Sequence, residues 1–305
     1  MPDSPAVPFR PTAITAALAV VGAAVLFGTT GTAQELGPDG ATPLGVGATR
    51  IAIGAVALWC AARSRPHWST VGAHAHLVAL GAIGVAAYQP GFFTGTERLG
   101  VALGTVVALG SGPIFVGLIE WLDGNPPGSR WVVATTLALS GGSMLVFAGD
   151  SGSSFSVLGL AGALGAGLGY ALYAVATKRM IIAGIDSTQA SAWQFSLGAL
   201  ALLPLLVTQP LGWLGSASGV AMALHLGVLC TGLAYVLYGW GLRLLDTSTA
   251  TTLTLAEPVT AGVLAVAVLD ERLRWFGWCG AALVVLGLLV VGSARRHLAP
   301  IDTHP

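Results

Sequence analysis

Few residues of this chain could do chemistry out of water, and Glu257 stands first among them: it sits near the middle of the apolar run from Ala250 to Leu269, directly before Pro258. A carboxylate in such a run must be paired, protonated or solvated. It is therefore either a proton-binding or coupling group, or a side chain that bonds backbone freed by the proline. Arg50 lies about five residues inside a second run, Gly45 to Ala62, close enough to its end for the side chain to snorkel to the headgroups. The same guanidinium could instead hold a substrate carboxylate or an acidic side chain. Pro90, Pro113 and Pro258 each interrupt an apolar run, free a backbone carbonyl and are candidate hinges.

Other reactive side chains are distributed in ways that exclude much. HExxH, GxSxG and GxxxxGK[ST] do not occur, so no zinc protease, nucleophile elbow or P-loop is present. His67, His74 and His76 share one polar stretch and read as solvated. Cys60, Cys230 and Cys279 lie in separate apolar runs without a CxxC, which suits small core side chains better than disulfides or a metal site. Neither a metal nor a cofactor is expected. Glu120 and Trp121 read as interfacial, and Asp270, Glu271, Arg272 and Arg274 as a solvated hairpin capping the last helix. An integral membrane enzyme acting on lipid or prenyl substrates is the main alternative. Such chemistry needs clustered acid, base or metal-binding groups near an interface, and no such cluster is visible.

The elements that must hold these residues are membrane helices. With 54% hydrophobic and 9% charged residues, the chain is far below the charge content of a soluble domain. A net charge of zero removes the basic field that nucleic acid would require. A membrane-crossing helix needs about 20 apolar residues. Ten such runs fill the chain: Ile14 to Ala33, Gly45 to Ala62, Leu77 to Gly95, Val101 to Leu122, Trp131 to Gly149, Val157 to Ala176, Ala190 to Val207, Val220 to Gly241, Ala250 to Leu269 and Phe276 to Ala294. They are continuous, unlike the alternating strands of a barrel. The first is longer than a signal-peptide core and is read as retained.

Charge placement supports an even count. With both termini cytoplasmic, nine basic residues fall inside (Arg10, Arg63, Arg65, Arg130, Lys178, Arg179, Arg243, Arg295 and Arg296) and three outside (Arg98, Arg272 and Arg274). This is the positive-inside distribution. An odd number of spans would spoil it.

Spans 1 to 5 also match spans 6 to 10 weakly. Gly22 to Gly28 parallels Gly165 to Ala171, and Gly54 to Leu58 parallels Gly198 to Leu202, which sets Arg50 opposite Gln194. Further along, Arg98 falls on Arg243, Pro113 on Pro258 and Gly142 on Gly287. Five spans per repeat is an odd number, so the halves enter the membrane in opposite senses. Such inverted repeats let two similar halves exchange roles around a midplane site.

The stretch from Thr247 to Gly292, with its small-residue run, Glu257-Pro258, Asp270-Glu271 and a Gly-Ala-Ala-Leu final helix, resembles the EamA-type transporters of the drug/metabolite transporter superfamily. Gly112-Pro113 and the segment Asp123 to Pro127 repeat the pattern in diluted form, and Pro43 with Arg50 matches the second helix of that family. The resemblance spans about residues 13 to 295. It implies an all-α integral membrane protein, ten transmembrane helices in two inverted five-helix repeats at 13–149 and 157–295, with cytoplasmic tails at 1–12 and 296–305. It also implies a central cavity lined by helices 1, 3, 4, 6, 8 and 9. Polar and aromatic residues near mid-span there are Thr29, Thr30, Tyr88, Gln89, Tyr170, Tyr173, Tyr235 and Tyr238. The last four form two i, i+3 pairs, each able to share one helix face. The expected activity is movement of small neutral or zwitterionic metabolites such as amino acids, in the export direction, across the inner membrane by alternating access, with proton coupling through Glu257 as one option. The expected partners are the small-molecule substrate and membrane lipid, with the protein a monomer or homodimer.

Overall fold

The computed structural model describes residues 12–62, 68–147, 156–270, 272 and 274–292. Arg10, Arg63, Arg65, His67, Glu271, Arg295 and Arg296, and almost all of both expected tails, lie outside the described residues. Ten long helices carry the fold: α1 (Ala13–Glu35), α2 (Pro43–Ala61), α3 (Ala75–Leu99), α4 (Val101–Leu122), α5 (Ser129–Phe147), α6 (Val157–Ile182), α7 (Ser187–Leu206), α8 (Ala217–Leu242), α9 (Thr247–Val268) and α10 (Trp275–Gly292). A short helix, Trp68–Ala73, precedes α3, and no strand occurs among the described residues. Helix starts are set by side chains that accept from otherwise unbonded N–H groups. Thr12, Thr42, Ser156, Asp186 and Ser216 do this for α1, α2, α6, α7 and α8.

Nine of these helices are long and apolar enough to cross a membrane; the exception among the ten is α7. Its 20 residues suffice in length. Its hydropathy is lowered by Gln189 and Gln194, which face protein rather than lipid and are fully buried. Leu200 and Leu203 on the same helix are exposed, as a lipid-facing side requires.

Contacts between helices repeat under exchange of the halves. α3 packs on α6 as α8 packs on α1; α4 packs on α6 as α9 packs on α1; α2 packs on α8 as α7 packs on α3. The remaining major pairs, α2 with α7 and α5 with α10, join equivalent helices. This is the inverted five-plus-five arrangement.

Lipid gives helices little hydrophobic reason to associate, so close approach must supply van der Waals contact. At the α3–α6 crossing a Cβ on Gly84 would collide with the Gly169 carbonyl oxygen, and one on Gly169 would lie 2.7 Å from the Gly84 carbonyl oxygen. The α5–α10 crossing is built likewise on Gly141 and Gly280.

Two joints are tighter than the sequence suggests. The polar stretch after span 3 is helical to Leu99, so Arg98 belongs to the last turn of α3. Gly100 alone makes the turn into α4 with φ of 84° and ψ of 154°, a conformation open essentially to glycine. α8 and α9 are separated only by residues 243–246. Cys60 and Cys279 are exposed on the outer surface, and only Cys230 is the buried small side chain expected of all three.

Replacing Gly84 with leucine forces α3 from α6 and is expected to lower stability by about 1–3 kcal/mol, the usual cost of overpacking. Gly165→Ala, on the same α6 but facing open space, is the control. Thermal melts in detergent should separate the two; equal melting temperatures would disprove the close-contact role of Gly84.

Candidate functional site

The site is organised by α9, which is not one regular helix. It is α-helical over Thr247–Leu253, tightens to a 3₁₀ turn over Thr254–Ala256 and resumes at Glu257 with Pro258 in its first turn. Threonine explains the bend: Thr251, Thr252 and Thr254 hydroxyls donate back to the carbonyls of Thr247, Ser248 and Thr251 at 2.9, 2.9 and 2.8 Å. Such back-bonding competes with the helical ladder. The turn ends where Pro258 contributes no N–H. Gly28 lets α1 close onto this point, since a Cβ there would lie 2.8 Å from the Glu257 carbonyl oxygen.

Beside the turn lies an internal cavity of about 100 Å³, bordered by Thr30, Arg50, Tyr88, Gln89, Tyr170, Tyr235, Thr254 and Glu257. Phe27, Phe92, Phe93, Ala108, Leu109 and Leu255 supply its apolar wall, and Gln34 closes it toward the end of α1. Seven of the sequence candidates therefore meet in one space. Tyr173 lines a smaller adjoining space that also touches Arg50, Tyr88 and Tyr235. Tyr238 is fully buried and borders neither. Thr29, next to Thr30, points instead toward α8, where its hydroxyl meets His225 at 2.9 Å.

Two opposite charges face this cavity without a direct bond. Arg50 Nε is buried with no hydrogen-bond partner, and no ion pair joins Arg50 to Glu257. The positions that match them in the other repeat are neutral and fully committed. Gln194, opposite Arg50, accepts from Thr177 at 2.8 Å and donates to Met180 Sδ at 3.2 Å. Gly112, opposite Glu257, lies under the ring of Tyr170. The architecture is symmetric and the charge is not.

Aromatic side chains form the cavity floor. Tyr235 stacks among Phe195, Tyr173 and Phe27 at ring-centroid distances of 4.4, 5.2 and 5.2 Å. The Tyr173 hydroxyl bonds Ser191 at 2.9 Å, and the Tyr170 hydroxyl bonds Thr254 at 3.2 Å. That last bond ties α6 to the bent part of α9.

Beyond this floor a second, wider cavity of about 480 Å³ is bordered by Glu120, Asp123, Arg130, Lys178, Arg179 and Asp246 with Thr247 to Thr249. Several of its charges cap helices. Lys178 Nζ donates to the carbonyls of Leu242 and Leu245 at 2.6 and 2.8 Å, and the Ser248 N–H donates to Glu120 at 3.1 Å. Glu120 thus holds the start of α9 rather than serving only at an interface. Arg179 pairs with Asp123. Thr249 belongs to the wide cavity and Thr254 to the central one, so the partition on α9 is about 7 Å thick at the helical rise. Thr135–Thr252 at 2.9 Å and Trp131 donating to the Ser248 carbonyl at 3.0 Å fasten it to α5.

Among the proline candidates, Pro90 and Pro113 lie inside uninterrupted helices and Pro258 lies at the break. Phe92, Phe93 and Gln34 are cavity residues not singled out from sequence. Gln34 carried a signal, being polar and one helical turn after Thr30, whereas a phenylalanine carries none that separates a cavity wall from a lipid-facing side. Among the described residues no group of three His, Cys, Asp or Glu side chains converges as a metal site would require.

Ten membrane helices in two inverted repeats, a polar cavity at their centre and a thin partition from a charged vestibule define a membrane transporter. The chain belongs to the EamA-like transporter family, which matches residues 14–147 and again 157–293. It is 40% identical to the transporter YwfM of Bacillus subtilis over 289 residues, covering 92% of this chain and 94% of that one. It is 32% identical to the threonine/homoserine exporter RhtA of Escherichia coli over 200 residues, covering 65% and 63%. One crystal structure, at 21% identity, superposes with a TM-score of 0.75 over 90% of this chain and 96% of the other, a likeness of fold.

Gln194 and Gln89 separate structural from functional polarity. Gln194→Ala strands Thr177 and should cost about 1–3 kcal/mol of stability. Gln89→Ala, whose amide borders the cavity, should change the melting temperature far less; a larger loss for Gln89→Ala would reverse the assignment.

Proposed function

We propose that the chain moves small zwitterionic metabolites, amino acids or close analogues, in exchange for protons. The observation that carries this reading is the separated pair Arg50 and Glu257 on one cavity. Two unpaired charges in a low-dielectric interior are costly. A zwitterion of matching span relieves both, with its carboxylate on the guanidinium and its ammonium on the carboxylate. Gln89, Thr30 and Tyr235 add hydrogen-bonding groups on the same wall. In the empty cavity a proton takes the place of the ammonium. Proton and substrate are then alternative partners of one carboxylate, which is the logic of an antiporter.

Alternating access follows from the partition. The cavity opens to the wide vestibule when the Tyr170–Thr254 and Thr135–Thr252 bonds part and α9 swings about Pro258. We assign the vestibule, rich in Arg130, Lys178 and Arg179, to the cytoplasm on the positive-inside rule, with both termini on that side. The exporter RhtA and an inward proton gradient favour outward transport.

The test is flux in proteoliposomes with an imposed pH gradient, screening radiolabelled amino acids. Wild type is expected to drive solute uphill. Glu257→Gln should abolish gradient-driven accumulation while retaining exchange, and Arg50→Gln should weaken apparent affinity by tenfold or more, about 1.4 kcal/mol. Accumulation by Glu257→Gln equal to wild type would refute proton exchange at this carboxylate. Undiminished affinity in Arg50→Gln would refute the carboxylate dock.

A further inference from the structure

A zwitterion held through both its charges still has a side chain to place, and the two sides of the cavity differ. The cavity adjoins two smaller spaces that share no residue with each other. One meets it at Arg50, Tyr88, Gln89, Tyr170 and Tyr235, the other at Leu109 and Leu255. Among the described residues α2 contributes only Arg50 to the lining, and α4 contributes only Ala108 and Leu109. α9 contributes to both kinds of surface, with Glu257 and, two residues earlier, the buried Leu255. On α3, Phe92 lies one turn beyond Tyr88, its ring parallel to that of Tyr88 at 5.8 Å, and packs in one apolar cluster with Ala108. Polarity therefore falls across the cavity from α2 toward α4.

The space behind the two leucines measures about 20 Å³ and lies between α4, α5 and α9. Leu109 and Leu255 are the only residues it has in common with the cavity, so they form the partition between the two. Glycines at Gly110 and Gly142 leave it open, and a Cβ on Gly142 would meet nothing within 4 Å. In the alignment that sets Pro113 on Pro258, Gly110 falls on Leu255, so the first half has no side chain to match the one that closes the cavity from α9. Val106, Leu139 and Val146 supply half-buried apolar borders. Of the two hydroxyls on the border, that of Ser143 is turned to the Leu139 carbonyl at 2.8 Å.

We infer that Leu109 and Leu255 are specificity-determining residues: they close the end of the cavity that receives the solute's side chain, restrict that side chain to an apolar group and limit its length. This rests on the zwitterion reading above. With the carboxylate on Arg50 and the ammonium on Glu257, the remaining direction is toward α4. There the side chain meets Ala108, Phe92 and the two leucines. A charged or strongly polar group would be desolvated against them without a partner, which is costly. An aliphatic or aromatic group instead gains by the area it buries. Removing either leucine side chain joins the cavity to the space behind it and lengthens this end.

The experiment is equilibrium binding of radiolabelled amino acids to the full chain in lipid nanodiscs, at one fixed pH and without a gradient. Alanine, leucine, tryptophan, lysine and glutamate form the series. Wild type is expected to bind leucine about tenfold or more tighter than lysine or glutamate. In Leu109→Ala and Leu255→Ala the ratio of tryptophan to alanine affinity should rise about tenfold or more, the scale of a methylene in an apolar pocket. Retained alanine binding shows that a variant is folded. Adding Gly142→Leu to Leu109→Ala refills the space from α5 and should reverse the gain. Equal affinities for leucine, lysine and glutamate in wild type, a comparison that needs no variant, would overturn the inference and leave the zwitterion dock standing. So would an unchanged ratio in both folded variants, or a gain that Gly142→Leu leaves intact. Binding of no amino acid at all would remove the zwitterion reading and this inference with it.

Discussion

A polar group inside a hydrocarbon layer has no water to fall back on, and this one constraint orders most of the molecule. Helices satisfy their own backbone. Side chains must find partners in neighbouring helices or line a space that admits water or solute. α7 shows the first solution, with Gln194 held between Thr177 and Met180. The threonines of α9 show a second, returning their hydroxyls to their own backbone and bending the helix as they do so. At the central cavity one such group is left over, the buried Arg50 Nε, which has no partner.

The same solvent sets how the helices meet. Leucine exposed on the bundle surface is as comfortable in lipid as in protein, so apolar side chains alone do not drive association. Crossings such as Gly84 on Gly169 and Gly141 on Gly280 instead bring backbone onto backbone. That geometry also serves the site. α3 carries Tyr88 and Gln89 on the turn after Gly84, and α6 carries Tyr170 directly after Gly169, so the crossing that holds these helices together sets the cavity width.

The fold was legible in the sequence because its signals are additive over many residues. Length, apolarity and the odd number of spans per repeat required no knowledge of any single contact. The site was legible only in part. Glu257 and Arg50 stood out because a charge in an apolar run is conspicuous, and the tyrosines because they are polar. Phe92 and Phe93 did not, since a phenylalanine that lines a cavity and one that faces lipid are chemically alike, and helix rotation decides between them. Tyr238 shows the converse: it shares a face with Tyr235 by spacing, yet the turn between them carries it out of the cavity into the aromatic floor. Glu120 was read as interfacial because its partner, the Ser248 N–H, lies 128 residues away.

The two halves share an architecture and differ in charge, and the proposed zwitterionic cargo is read from that difference. If both halves carried the arginine and the glutamate, the centre would hold two of each, and two like charges near one another in a low dielectric repel strongly. With Gln194 in place of the second arginine and Gly112 in place of the second glutamate, one positive and one negative group remain. The zwitterionic solute proposed above is chosen to match that cavity in both number and sign of charge. The committed hydrogen bonds of Gln194 and the ring of Tyr170 over Gly112 fill the places left by the missing charges. In the proposed cycle the scaffold rocks as two similar halves while the two charges sit on α2 and α9 alone. Because α9 is also the helix that separates the two cavities, the charge state of Glu257 and the position of the partition are properties of the same element. In the proposed antiport, occupancy of the carboxylate would bias which side is open without any intermediate structure to carry the signal.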